Sequence, residues 1–384
     1  MTRAADERPF LAAAVALAAR GRFRVEPNPP VGAVVVRGGR VVGRGWHRAY
    51  GGPHAEVEAL RAAGPRARGA TVYVSLEPCS STSRGKKTAP CVDALAAAGV
   101  ARVVWAHRDP DPRNGGRAAR ALARAGVASA GPVPVEGAAE LLTAFRAGLA
   151  LARPWVLWKW ASSLDGRVAP AAGRGGTLSS PASMALLHEI RGRVEGVAVG
   201  VGTVLVDDPR LTCRRPGGPP HGRAQPAAVV FDTHARTPPG CRLVAEPVPG
   251  RPVLLLVGDA TSPRARALAR RPGVEVVEVP VAGGHLEPAG ALAALHARGV
   301  RRLLLEGGPR VAGAFLAAGV VDQVAALLTP RLLGADGAPT ALAGTPFTDL
   351  ATAPTLTGVR VRRVGVDVLV EGYVARGVNA AGRS

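Results

Sequence analysis

The chain has 384 residues, with 49 Lys+Arg against 28 Asp+Glu, 47% apolar residues and 4% aromatics. That length accommodates two domains with their own cores, the apolar share excludes a wholly disordered chain, and no apolar run reaches the ~18 residues of a membrane span. The formal charge of +21 is a weak argument for nucleic acid, because every cation except Lys86, Lys87 and Lys159 is one of many scattered arginines and aromatic platforms for bases are scarce.

The N-terminal stretch carries Asp6 and Glu7 and does not read as a secretory signal, so a soluble cytoplasmic protein is expected. Residues 9–20 predict a helix, and the Pro-rich breaker at 26–30 ends it. The apolar runs 31–36 and 41–46 around Arg37-Gly38-Gly39-Arg40 predict a hairpin. A helix over 54–64, a strand over 71–78, a helix over 91–100 and a strand over 101–107 follow. A helical stretch over 136–154 leads to a domain boundary near 147–153. The second half repeats the alternation, with strands expected at 155–161, 196–201, 227–232, 252–257, 274–280, 301–305 and 323–329. Its helices are expected near 181–194, 289–298 and 309–319, followed by a strand pair within 359–374 and a frayed tail. Alternating strands and helices imply α/β layers in both halves.

The first chemical constellation is His54-Ala55-Glu56 with Glu77-Pro78-Cys79 and Cys91. One imidazole and two thiolates make a three-ligand zinc site with an open position for water, as hydrolysis needs. Glu56, two residues past the histidine at a helix start, does not share its direction and is free to carry protons without being a ligand. His-x-Glu followed by Pro-Cys is the pattern of zinc deaminases. Taken singly, each of these residues reads equally as an ordinary core histidine or buried cysteine.

The second half has no G-x-G-x-x-G after its first strand, so a Rossmann assignment fails. Leu305-Glu306-Gly307-Gly308-Pro309 instead reads as a strand ending in glycines before a helix, an arrangement suited to a dinucleotide pyrophosphate or to a plain tight turn. Cys213 and Cys241 have no His or Cys partner nearby in sequence, and His107, His188, His221, His234, His285 and His296 carry no readable role.

The first 150 residues resemble the deaminase half of the bifunctional riboflavin-biosynthesis deaminase–reductases. The resemblance rests on Asn28-Pro29-Pro30-Val31-Gly32, Gly45-Trp46-His47, Gly52-Pro53-His54-Ala55-Glu56, Leu76-Glu77-Pro78-Cys79-Ser80, Ala89-Pro90-Cys91 and the Asp109-Pro110 region. Lys159, Ser163-Leu164-Asp165-Gly166, Gly202-Thr203-Val204-Leu205, Asp207-Asp208-Pro209-Arg210-Leu211-Thr212 and Glu306-Gly307-Gly308 resemble the reductase half in order and spacing. The resemblance implies an N-terminal cytidine-deaminase-like three-layer α/β domain over 1–148, a C-terminal dihydrofolate-reductase-like α/β domain over 149–376, and a tail over 377–384.

It further implies Zn2+ on His54, Cys79 and Cys91 with Glu56 catalytic, and a pyrimidine or ribose phosphate at Asn28 and His47; Lys86 and Lys87, in the loop between the cysteines, read equally as cations for that phosphate or as a solvated basic turn. NADPH is implied near Ser162, Thr203, Asp207, Thr233 and Gly308, with the second substrate near Arg191, Leu211, Arg214 and Glu306. Arg191 and Arg214 suit bidentate pairing with a phosphate, and Asp207 or Glu306 suits orienting sugar hydroxyls or assisting protonation. The expected partner is a small phosphorylated pyrimidine, with no nucleic acid and no membrane, and a homo-oligomer formed through the reductase domain.

Two departures stand against the family pattern. Eleven residues separate Cys79 from Cys91 where the family usually has eight, without its frequent pair of histidines, and Gly175 and Thr177 replace a Ser and a Trp often found before Ser179. They keep two alternatives open: a polynucleotide deaminase with an accessory domain, and a silent or redirected fusion.

Overall fold

The computed structural model describes residues 7–80, 89–149, 151–174, 176–214, 224–334, 336–344 and 347–375. Lys86, Lys87, Gly175 and the 377–384 tail lie outside the described residues. The chain divides into two compact units, Met1–Leu151 and Ala152–Ser384.

The first unit runs α1 (Arg8–Ala18), β1 (Gly32–Arg37), β2 (Arg40–Trp46), α2 (Ala55–Ala63), β3 (Thr71–Val74), α3 (Cys91–Ala97), β4 (Arg102–Trp105), α4 (Ala118–Arg124), β5 (Ala128–Ala130) and α5 (Thr143–Leu149). Its sheet has the order β2-β1-β3-β4-β5, antiparallel across β2-β1-β3 and parallel from β3 to β5. The period of two decides the layers. Ala33 and Val35 pack with Ala55, Ala59, Val92, Leu95 and Leu122 from α2, α3 and α4, while Val34 and Val36 pack with Leu11 and Val15 of α1. A continuous apolar strand is therefore buried on both faces, giving a three-layer α/β unit.

Helix α2 lies directly on β2. A Cβ at Gly45 would sit 2.3 Å from the Ala59 nitrogen and 2.4 Å from the Ala55 carbonyl oxygen, so only glycine allows this approach. That close packing brings the first turn of α2, with Glu56, against the sheet.

The second unit runs β6 (Trp155–Ser162), α6 (Pro181–Arg191), β7 (Gly196–Gly200), α7 (Val201–Asp207), β8 (Ala227–Phe231), α8 (Arg242–Ala245), β9 (Val253–Val257), α9 (Pro263–Ala269), β10 (Val274–Glu278), β11 (Val281–Ala282) and β12 (His285–Leu286). It continues with α10 (Pro288–Ala297), β13 (Arg302–Leu305), α11 (Pro309–Ala317), β14 (Gln323–Leu328), β15 (Leu356–Val364) and β16 (Asp367–Val374). The main sheet has the order β10-β9-β8-β7-β13-β6-β14-β16-β15, parallel from β10 to β14 and antiparallel at β16 and β15. Leu303 and Leu305 face Leu292, Leu295 and Phe315 of α10 and α11, whereas Leu304 faces the side covered by Leu187, Val204, Leu243 and Leu268. Both faces of the parallel part are thus covered by helices, as a parallel sheet requires.

The elements differ from the sequence expectation in places. The stretch 136–154 is helical only as a 3-10 turn, Glu140–Leu142, and α5, because Gly137 adopts φ 78° and breaks the run. The strand expected over 71–78 ends at Val74, and α4, β5, α7, α8 and α9 are elements the sequence pattern did not resolve. Among the described residues, no helix is long and apolar enough to cross a membrane.

Candidate functional sites

In the first unit the three expected metal ligands come from three element ends. His54 is the extended residue capping α2, Cys79 lies in the loop after β3, and Cys91 is the first residue of α3. Their ligand atoms all lie within 4.8 Å of one another. His54 Nδ1 is 3.2 Å from Cys91 Sγ and 3.6 Å from Cys79 Sγ, and the Cys91 backbone N–H donates to Cys79 Sγ at 3.3 Å. An N,S,S donor set of this softness and closeness fits zinc.

The electrostatics point the same way. Cys91 is pushed well above its ordinary thiol value by its hydrogen bond with Cys79, then by burial and by the Glu56 charge. Glu56 is itself raised, first by burial and then by Cys79. Buried groups that raise one another in this way are relieved by a cation among them, which stabilises both thiolates. Glu56 is 3% exposed in the first turn of α2 with its carboxyl at Cys91, beside the ligands rather than among them.

Asn28 and His47, expected to contact substrate, are brought to the same place. The His47 ring lies 5.4 Å from the His54 ring, edge to face, and is 3% exposed. His47 Nδ1–H donates to the Pro53 carbonyl at 2.8 Å, which leaves Nε2 to accept from the Asn28 amide at 3.3 Å. The pair is therefore oriented in advance, with one tautomer fixed.

Glu77 has a separate role. Its carboxylate accepts from the backbone N–H groups of Asp109 (3.2 Å), Gly116 (2.9 Å) and Ala118 (3.0 Å), tying the loop after β4 to the start of α4. Asp109, flagged in the sequence only as part of a region, is 7% exposed, and burial raises its carboxyl to about 6.

In the second unit, four of the five expected cofactor residues stand where parallel strands end: Ser162 at β6, Thr203 just past β7, Thr233 past β8 and Gly308 past β13. Carboxyl ends of parallel strands form the crevice in which open α/β sheets bind ligands. Gly307 makes the cradle close: a Cβ there would sit 2.9 Å from Thr203 Oγ1 and 3.2 Å from Val199 Cγ1. Gly308, at φ 68°, caps α11, and the Thr233 carbonyl accepts from Gly258 N–H at 3.0 Å. A backbone this bare beside a helix start fits a pyrophosphate. Asp207 is the exception: it is exposed at the far end of α7 from Thr203.

Glu306, two residues past Leu304, points to the same face as Leu304, toward α6. There Arg191 grips it with two bonds, Nε to Oε1 and Nη2 to Oε2, each 2.6 Å, and Arg191 Nη1 donates to the Thr212 carbonyl at 3.1 Å. Arg191 thus holds Glu306, its planar fork matched to a buried carboxylate. Arg214 remains the exposed cation of the two. Leu211 is 2% exposed and turns the chain at φ 50° just before them.

Burial alone would raise Glu306, but Arg191, with Lys159, holds its carboxyl below the ordinary value. Lys159 lies on β6, 8% exposed, and burial lowers its ammonium, with Glu306 opposing. The sequence marked Lys159 only by resemblance. Its place on the same strand face as Leu157, toward α6, follows from the period of two.

Both halves of the chain match known families. Residues 5–107 match the family "Cytidine and deoxycytidylate deaminase zinc-binding region", and residues 154–370 match "RibD C-terminal domain". The chain is 37% identical over 370 residues to the riboflavin biosynthesis protein RibD of Escherichia coli K12, covering 94% of this chain and 97% of that protein. It is 34% identical to the Aquifex aeolicus RibD, covering 96% and 97%. Acinetobacter baumannii RibD (form 1) superposes with a TM-score of 0.69 at 30% identity, covering 96% of this chain and 99% of that one. The Thermotoga maritima diaminohydroxyphosphoribosylaminopyrimidine deaminase/5-amino-6-(5-phosphoribosylamino)uracil reductase gives 0.68 at 30%, covering 96% and 98%. A cytidine-deaminase zinc-binding region is followed by a RibD C-terminal domain, and neither alternative to the two-enzyme reading is favoured. Both family matches lie on one chain, 94% of which aligns with 97% of its Escherichia coli relative, and the protein belongs to the family of bifunctional riboflavin-biosynthesis deaminase–reductases.

Proposed function

We propose that residues 1–148 remove an exocyclic amine from 2,5-diamino-6-ribosylamino-4(3H)-pyrimidinone 5′-phosphate, and that residues 149–376 then reduce the ribosyl chain of the product to ribityl. The observation that carries the reading is the convergence of His54, Cys79 and Cys91 with Glu56 beside them.

His54, Cys79 and Cys91 would hold Zn2+, which when bound lowers the pKa of water from 15.7 to about 7 and so supplies a nucleophile at neutral pH. Glu56, kept out of water and raised above the ordinary carboxyl range, would carry two protons in turn: one from the attacking water to the pyrimidine ring nitrogen, and a second from the hydroxyl so added at carbon to the amine, which leaves as ammonia. Asn28 and His47 hold the pyrimidine beside it, and Lys86 and Lys87 are assigned to its phosphate.

Ser162, Thr203, Thr233 and Gly308 would hold NADPH, which when bound would supply a hydride for ribosyl C1′. Because Arg191 and Lys159 keep Glu306 ionised, its role is to accept from and orient the sugar hydroxyls, and Lys159 is the proton-bearing group beside it. Arg214 and the turn at Leu211 face the phosphate. We extend the reading to a cytoplasmic enzyme whose partner is the small phosphorylated pyrimidine and not nucleic acid. It includes a homo-oligomer through the reductase unit, where edge strand β15 exposes Val359 (52%) and Val361 (61%).

Turnover tests it. Ammonia release from the diaminopyrimidine phosphate is expected without NADPH, and NADPH oxidation only once the deaminated product is present. Ammonia release from tRNA or single-stranded DNA, with none from the pyrimidine phosphate, would overturn the reading.

A further inference from the structure

Residues 211–214 belong to no helix or strand, yet they are fixed bond by bond from the last turn of α6. His188 and Arg191 are three residues apart and share a helix face. The Arg214 backbone N–H donates to His188 Nδ1 at 3.3 Å, the Cys213 thiol donates to the His188 carbonyl at 3.1 Å, and Arg191 Nη1 donates to the Thr212 carbonyl. Gln225 closes the other side, accepting from Cys213 N–H at 2.8 Å and donating to the Cys213 carbonyl at 3.1 Å. The pinned segment ends in the exposed Arg214, and the same Arg191 that pins it also holds Glu306.

We propose that His188 is a positioning residue for the reductase: by accepting the Arg214 backbone N–H on Nδ1 it sets the Arg214 guanidinium where the substrate phosphate binds. This rests on the reductase reading above. The bond requires a neutral imidazole, since a protonated Nδ1 would face a second donor. Burial first, then the Arg191 and Arg214 charges, lower the His188 ring below its ordinary value against the opposing pull of the Thr212 backbone and the Glu306 charge, and the thiol at its carbonyl is Cys213. The ring is therefore neutral at pH 7, and the bond is lost only as pH falls through that lowered value.

The experiment compares reduction of the deaminated pyrimidine phosphate with that of its dephosphorylated form, using full-length wild type, His188→Leu and His188→Asn. His188→Leu is expected to raise KM for the phosphorylated substrate about tenfold, the equivalent of one modest hydrogen bond. Its kcat, its KM for NADPH and its turnover of the dephosphorylated substrate should stay within about twofold of wild type, this being small beside that tenfold step. His188→Asn, whose side-chain amide can present an oxygen near the Nδ1 position, should restore most of the affinity. Equal losses on both substrates, a fall confined to kcat, or an Asn variant no better than Leu would each overturn the proposal.

Should His188→Leu not fold, the pH profile decides. The substrate phosphate titrates near pH ~6 for both wild type and His188→Asn, so the extra rise of KM at acid pH in wild type alone is the histidine's contribution. Superimposable profiles would overturn the proposal. A wild type that oxidises no NADPH with the deaminated pyrimidine would instead sink the reductase reading, and the proposal with it.

Discussion

Replacing Glu56 by Gln is expected to stop ammonia release while leaving the rest of the enzyme working. The side chain is buried in the first turn of α2 beside the ligands, so the substitution keeps volume and packing and removes only the ability to exchange a proton. General acid–base catalysis contributes about 10²–10⁴-fold, and Glu56 acts at both ends of the reaction, so a loss at the upper end of that range is expected. Zinc content should be unchanged, because no ligand is touched. NADPH-dependent reduction of supplied deaminated pyrimidine should also be unchanged. Ammonia release within about tenfold of wild type would place the essential proton carrier elsewhere, since general acid–base catalysis contributes at least about 10²-fold.

Glu306→Gln should do the converse. It removes the charge that Arg191 grips at 2.6 Å on two sides and that Lys159 faces, without opening a cavity. Reduction should fall by about 10²-fold or more through loss of the oriented carboxylate, while ammonia release is unaffected. Stability should fall too, because the Arg191 guanidinium is left buried opposite a neutral amide; breaking a buried pair costs about 3–5 kcal/mol, and the remaining amide bond places this case at the lower end. Denaturant midpoints followed by tryptophan emission read this out, since all five tryptophans except Trp46 and Trp105 lie in the second unit. Reductase activity within threefold of wild type would remove Glu306 from the reaction, as that is about the context-dependent spread of a single exposed hydrogen bond.

The two units were unequally legible in the sequence. The metal ligands read clearly because each sits at the end of an element with its own local signature: a helix cap, a Pro-Cys turn and a helix start. Glu77 shared that signature but serves the backbone of the loop beyond β4, which no spacing reveals. Arg191 and Glu306 are 115 residues apart, so their pairing depends on the sheet order that puts β13 beside β7 and on a face shared with α6. His188 looked featureless for the same reason: its partner Arg214 is 26 residues away in a segment without periodicity. Helix α7 was missed because Val201, Thr203, Val204 and Val206 favour strand in isolation, and tertiary packing of Val201 and Val204 into the core decides otherwise.

The proposed deamination requires one imidazole and two thiolates to share a metal whose remaining position is open to water. Zinc K-edge absorption on the purified full-length protein measures this directly. It should find one zinc per chain, with two sulfurs at about 2.3 Å, one imidazole nitrogen at about 2.0–2.1 Å and one further light atom, and a single sulfur after Cys91→Ser. Four sulfurs, no sulfur, or an unaltered spectrum in Cys91→Ser would contradict it.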